Sequence, residues 1–327
     1  MTYSVALFGA GRIGRIHATN IAAHPELRLA WVCDRNVEAA QELASRFGAR
    51  VGGANEAIAD SAVTGVLVAT NTDTHLDLSL RANQAGKAVF CEKPVDLDLT
   101  RARAAAKTLG DAPVFVGFNR RFDPNFAALK AKLVSGEAGA LESLQVTSND
   151  PSPPPVDYVR TSGGLFADMT IHDFDMARFL LGEEPVELFA WGSCLVDPAI
   201  GEAGDIDTAR VLLRTASGKL AVIANSRRSG FGYDQRVEAF CSRGLVAAGN
   251  MTESTVQVWR EDGARAAPFQ NFFLERYAAA FRNELSHFAD ILAGRALPLV
   301  NFHDGVAALA LADAARRSLA RGASVAV

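Results

Sequence analysis

From Tyr3 to about Phe118, short apolar runs alternate with amphipathic segments. Ser4–Phe8, Leu27–Cys33, Gly65–Ala69, Ala88–Cys91 and Val114–Phe118 are nearly continuous in apolar residues, the pattern of parallel strands buried on both faces. The segments between them carry helix signals. Asn36 precedes Val37–Phe47 and Gly48 follows it. Thr74 and Gly86 bracket His75–Ala85 in the same way, and Asp98 and Gly110 bracket Leu99–Leu109. Strand–helix alternation at this spacing predicts βαβ units and a doubly wound parallel sheet.

After Phe118 the rhythm changes. A helix at Pro124–Val134 leads to a strand at Leu141–Asn149 and then to the stiff run Pro151-Ser152-Pro153-Pro154-Pro155. A helix at Met169–Leu181 ends at Gly182. Strands follow at Val186–Val196, Thr208–Thr215, Leu220–Ser226, Gln235–Cys241, Gly244–Ala248 and Thr255–Trp259. Turns as short as Ala216-Ser217-Gly218 join consecutive strands antiparallel. Helices at about Phe272–Ala293 and Asp304–Ala320 close the chain. Two domains are expected: an α/β domain over residues 1–120, and an α+β domain over 121–327 with a large, mainly antiparallel open sheet.

Composition removes several classes of function. With 49% hydrophobic and 21% charged residues, the chain reads as an ordinary globular protein. Its net charge of −4, without a block of like charges, excludes a phosphate-backbone binder, so no nucleic-acid partner is expected. No membrane is expected either: no apolar stretch reaches the roughly 18 residues of a spanning helix, and Val306–Ala315 is interrupted by Asp313. The start Met1-Thr2-Tyr3-Ser4-Val5 lacks a basic leader, which predicts a cytoplasmic protein. Cys33, Cys91, Cys194 and Cys241 are too scattered for a zinc site or a disulfide framework, and free thiols in a reducing compartment are expected.

Gly9-Ala10-Gly11-Arg12-Ile13-Gly14 stands between the first strand and the first helix. Gly9 would allow the tight turn, Gly11 the approach of backbone to a pyrophosphate, and Gly14 close helix–strand packing, with the helix N-terminus facing the phosphates. Asp34, 20 positions beyond Gly14 at the end of the second strand, can accept both ribose hydroxyls. Together these residues predict a Rossmann domain that binds a nicotinamide dinucleotide. A carboxylate repels a 2′-phosphate, which favours NAD; Arg35 beside it keeps NADP open. Thr70, Asn71, Thr72 and His75 follow the third strand, where a loop can touch the pyrophosphate and nicotinamide ribose.

Two further motifs carry chemistry: Cys91-Glu92-Lys93-Pro94 at a strand end, and Gly163-Gly164-Leu165-Phe166-Ala167-Asp168-Met169-Thr170-Ile171-His172-Asp173 at a helix start. A Rossmann start, Glu-Lys-Pro and this Gly-Gly…Asp…His pattern, in that order, resemble the Gfo/Idh/MocA family of sugar and polyol oxidoreductases essentially end to end. Gly117–Asp123, Asp168–Asp175 and Gly232–Glu238 look most like that family's inositol 2-dehydrogenases. The resemblance implies catalytic roles for Lys93, Asp168 and His172, a cis Lys93–Pro94 bond, a cofactor-facing Glu92, no metal, and a homotetramer or dimer joined through the second domain's sheet.

The residue chemistry agrees. Asp168 and His172 are four apart, so on a helix they share a face. A carboxylate beside an imidazole fixes its tautomer and raises its basicity, which suits a general base. Lys93 would stabilise a developing alkoxide. Asn119 and Arg121 are candidates for nicotinamide or substrate contact, and Asp150, Tyr233 and Tyr277 for polyol hydroxyls; Asp173 and Asp175 fit capping or ion pairs better than metal ligation. The expected reaction is NAD-dependent oxidation of a secondary hydroxyl, myo-inositol to 2-keto-inosose first. Scyllo-inositol, an aldopyranose oxidised at its anomeric carbon, an NAD-retaining glycosidase or lyase, and a non-catalytic nucleotide sensor remain open.

Overall fold

The computed structural model describes residues 1–327. Six strands, β1 (Tyr3–Phe8), β2 (Leu27–Cys33), β3 (Arg50–Val51), β4 (Val63–Val68), β5 (Ala88–Cys91) and β6 (Val114–Val116), form one parallel sheet. Their order, β3-β2-β1-β4-β5-β6, reverses direction between β1 and β4, the crevice at which such sheets bind ligands. Five strands lie where the apolar runs put them. The two-residue β3 and the helix Ala54–Ala59 behind it are too short to register as periodic patterns.

Helix ends follow local chemistry. Asn36 accepts a bond from the Ala39 amide, and Asp98 accepts from the Thr100 and Arg101 amides. Thr74 makes no capping bond; a 3-10 turn, Thr72–Thr74, precedes His75–Gln84, and its hydroxyl pairs with Thr70.

The chain separates into two compact units, Met1–Phe122 with Ala280–Leu309, and Asp123–Ala279 with Ala310–Val327. The expected division at residue 120 thus falls close to Phe122, but residues 121–327 are not one unit. A parallel sheet needs both faces covered, and the return segment supplies cover. Phe288 stacks edge-on to Phe90 at 5.6 Å, and a Cβ at Gly65 would meet Leu292 and Phe288.

In the second unit, β7 (Leu141–Asn149), β8 (Pro185–Ser193), β9 (Thr208–Thr215), β10 (Leu220–Ser226), β11 (Asp234–Cys241) and β12 (Gly244–Ala248) build a sheet. β13 (Gln257–Arg260) and β14 (Gly263–Ala266) form a separate hairpin, so the strand expected at Thr255–Trp259 lies outside it. The sheet ends on β15 (Val325–Ala326), and its order is β12-β11-β7-β10-β9-β8-β15. All pairings are antiparallel except β7 with β10. One face is core. The other shows Phe189, Leu212 and Val222 in one cross-strand row, with exposed Trp191, Phe240 and Leu245 beside it.

The helix expected over 272–293 is broken at Tyr277 into Phe273–Arg276 and Ala278–Leu292. No helix is long and apolar enough to cross a membrane.

Candidate active site

The glycine loop is built as its sequence requires. Gly9 has φ +106°, and a Cβ there would lie 2.2 Å from the Ala69 carbonyl oxygen. A Cβ on Gly14 would lie 1.9 Å from the Gly9 carbonyl oxygen, so the helix Arg12–Ala23 can start here only with glycine. Gly11 differs: nothing lies within 4 Å of its Cβ position, and no side chain caps the helix it begins. Open space at uncapped N–H groups is what a pyrophosphate needs. Arg12 and Arg35 are exposed and Ile13 is half-buried.

Asp34 Oδ2 accepts the Ala10 amide at 2.6 Å, and Oδ1 accepts the Asn36 amide at 2.8 Å. The carboxylate therefore braces the glycine loop from the end of β2, and each oxygen keeps a lone pair for ribose. These residues fit a dinucleotide.

The loops after β4 and β5 bring the next candidates together. His75 is 2% exposed; its Nδ1 lies 2.8 Å from the Pro94 carbonyl oxygen and its Nε2 3.0 Å from the Thr70 carbonyl oxygen. Both ring nitrogens are thus engaged internally, so His75 braces the loops rather than presenting a nitrogen to a ligand. Asn71 is exposed, Thr70 and Thr72 half-buried. The Lys93–Pro94 bond is cis, and Lys93 is half-buried.

Glu92, expected to face the cofactor, is 9% exposed. Its Oε1 lies 2.6 Å from His17 Nε2, and Glu284 completes a buried group with ligating atoms within 4.8 Å of one another. Burial raises the Glu284 carboxyl well above the ordinary range, and the Glu92 charge adds to it. Asn119 is buried in the turn Asn119–Phe122. Arg121 donates to Asp304 at 3.0 Å and to the Leu299 carbonyl at 3.2 Å, which makes it an anchor for the return segment.

In the second unit, Asp168 stands in a π-helical turn, Phe166–Thr170, that runs into the α-helix Ile171–Leu181 carrying His172. The helix thus begins earlier and wider than the Met169 start expected, a distortion frequent at functional sites. Tyr158 Oη donates to Asp168 Oδ1 at 2.8 Å, and Arg227 Nη2 donates to Oδ2 at 3.1 Å. Arg227 is 2% exposed, and its Nη1 lies 3.8 Å from Asp150. Two of the expected residues, Asp150 and Asp168, therefore meet around a guanidinium that sequence reasoning missed.

A signal for it existed. Inward positions on β10 alternate, Ala221, Ile223, Asn225, and the next is Arg227, a cation that must find a carboxylate. Asn225 holds the same helix: it accepts from Thr170 Oγ1 and donates to Asp173 Oδ2 at 2.8 Å. Asp173 also accepts from Ser148 at 2.5 Å, and Asp175 lies 3.7 Å from Arg178. Tyr277, expected to meet substrate hydroxyls, is 2% exposed and donates to Gln235 Oε1 at 3.1 Å, an internal tie. Tyr233 stacks edge-on to its ring at 5.9 Å.

The model of the GFO/IDH/MocA oxidoreductases with an NAD-binding Rossmann fold matches residues 3–119, and that of the GFO/IDH/MocA C-terminal domain matches 126–247. An inositol 2-dehydrogenase of Rhizobium meliloti is 47% identical over the whole of both chains. The chain belongs to the Gfo/Idh/MocA family. This Gfo/Idh/MocA protein is also similar to a myo-inositol 2-dehydrogenase of Thermotoga maritima, at 45% identity over 98% of this chain and 97% of that one. Its fold matches the crystal structure of a scyllo-inositol dehydrogenase from Lactobacillus casei with bound NAD(H) and scyllo-inositol. The TM-score is 0.93 at 25% identity, covering 100% and 99% of the two chains. It is an NAD-binding oxidoreductase.

Proposed function

We propose that this chain is a cytoplasmic dehydrogenase that oxidises one secondary hydroxyl of a cyclic polyol, with myo-inositol, giving the 2-keto-inosose, as first substrate. The observation that carries the reading is the fixed carboxylate of Asp168, held by Tyr158 and Arg227 four residues before His172. Identities of 45–47% to inositol 2-dehydrogenases support the substrate class.

The glycine loop and Asp34 would hold NAD, which would supply the hydride acceptor. The chain supplies the rest. A ring nitrogen of His172 takes the hydroxyl proton as the C–H bond breaks, so oxygen and carbon lose one proton and one hydride and a ketone remains. Asp168 orients that imidazole and stabilises its cationic form. Lys93 offers positive charge to the alkoxide. Asn119, Asp150 and Tyr233 are proposed hydroxyl contacts. A neutral ring covered in hydroxyls is selected by such groups, because an epimer leaves one of them unpaired.

The test is a substrate panel, NAD and NADP crossed with inositol isomers and aldopyranoses. Accumulating NADH with myo-inositol supports the reading. Preference for scyllo-inositol or a pyranose changes the ring; turnover without NADH means a lyase or glycosidase.

We also propose a homotetramer or dimer that covers the apolar sheet face of Phe189, Trp191, Leu212 and Phe240. Trp191 is 65% and Phe240 56% exposed, more than a lone chain comfortably leaves in water. Light scattering at micromolar concentration checks it; a monomer refutes it.

A further inference from the structure

We propose that His75 is a positioning residue, held as an imidazolium that ties the loop after β4 to the loop after β5 and so sets the place of Lys93. Two of the ring's three polar neighbours, the carbonyls of Thr70 and Pro94, are pure acceptors, one against each ring nitrogen. A neutral imidazole has one N–H, so it satisfies one carbonyl and turns a lone pair toward the other, in a place only 2% exposed. The doubly protonated ring alone makes both bonds.

Electrostatics agree with the geometry. Burial works against the charge, but the Cys91 sulfur, at the end of β5, and the two carbonyls overcome it and push His75 up to about 9. Cys91 is the titratable group set against the ring; its other two neighbours are backbone. The tied segments are Thr70–Thr72 on one side and Glu92–Pro94 on the other. One carries the candidate ribose contacts and the other the candidate alkoxide stabiliser. The inference rests on that reading of Lys93 and the Thr70 loop as cofactor-side groups.

The experiment has two parts. Nitrogen-15 NMR of the labelled chain at pH 8, where an ordinary histidine is neutral, should show His75 protonated at both ring nitrogens; a neutral ring overturns the proposal. NADH fluorescence titrations then compare wild type with His75→Gln across alkaline pH, circular dichroism confirming that both are folded. Wild-type affinity should fall about tenfold as pH passes about 9, while His75→Gln should start about tenfold weaker and stay flat. Parallel curves, or wild-type affinity in His75→Gln, overturn it. Should His75→Gln fail to fold, the NMR result decides alone. Neither readout uses a polyol, so an unsuitable substrate assignment leaves both intact.

Discussion

Arg227 reaches Asp168 across 59 residues of chain, Nη2 to Oδ2 at 3.1 Å, and at 2% exposure it has little water to fall back on. Removing one partner of such a pair leaves the other charge poorly solvated. Arg227→Met should therefore misplace the Asp168 carboxylate. A hydrogen bond to a charged group is worth roughly 1.5–3 kcal/mol, so kcat/KM for the polyol should fall about tenfold to more than a hundredfold. NADH affinity should be unchanged, because the glycine loop and Asp34 are untouched. Steady-state kinetics with a parallel NADH titration checks both halves.

Tyr158 offers a milder version. Its hydroxyl holds the other Asp168 oxygen at 2.8 Å, but the residue is half exposed, so water can replace it. Tyr158→Phe should cost only about threefold to tenfold in kcat/KM, a net hydrogen bond of about 1 kcal/mol. A loss as large as that of Arg227→Met would make the hydroxyl a substrate contact as well.

The glycines of the loop separate folding from binding. Gly9→Ala and Gly14→Ala push a methyl into backbone carbonyls at 2.2 and 1.9 Å and should lower Tm by several degrees. Gly11→Ala meets nothing within 4 Å and should leave Tm unchanged while weakening NADH binding. Thermal melts and fluorescence titration on the three variants distinguish the roles.

Glu284 gives a pH prediction. Burial first, then the Glu92 charge, raises its carboxyl above the ordinary 4.5, so the folded chain holds a proton that the unfolded chain releases. Stability contributed by the neutral acid is complete below about 4.5 and declines as pH rises toward the folded value. Glu284→Gln copies the protonated shape without that cost. Its Tm should exceed the wild-type value at pH 8 and converge with it at pH 4; a lower Tm at pH 8 contradicts the assignment.

The local rules were readable and the distant partners were not. The apolar runs, the caps at Asn36 and Asp98, and the glycine loop each depend on neighbours within a few residues. Spacing and a short family motif make Asp168 and His172 candidates, and the chain's likeness to one family followed from such motifs. By contrast, Asp168 takes its restraint from Tyr158 and Arg227, and Arg121 bonds Asp304 at a separation of 183 residues. The family resemblance says nothing of His17 and Glu284, the neighbours of Glu92 that only folding assembles. The break at Tyr277 is likewise invisible in a continuous amphipathic pattern, since Tyr277 is paid no local penalty for remaining helical.

His172 is the proposed base and Asp168 its proposed orienter. The most direct test of that assignment is myo-inositol oxidation followed by NADH absorbance in wild type and His172→Ala, with NADH binding measured on the same samples. Wild type should turn over and accumulate NADH, and His172→Ala should lose about a hundredfold or more in kcat at unaltered NADH affinity. Near-wild-type turnover in His172→Ala, or no NADH from any cyclic polyol in wild type, would contradict it.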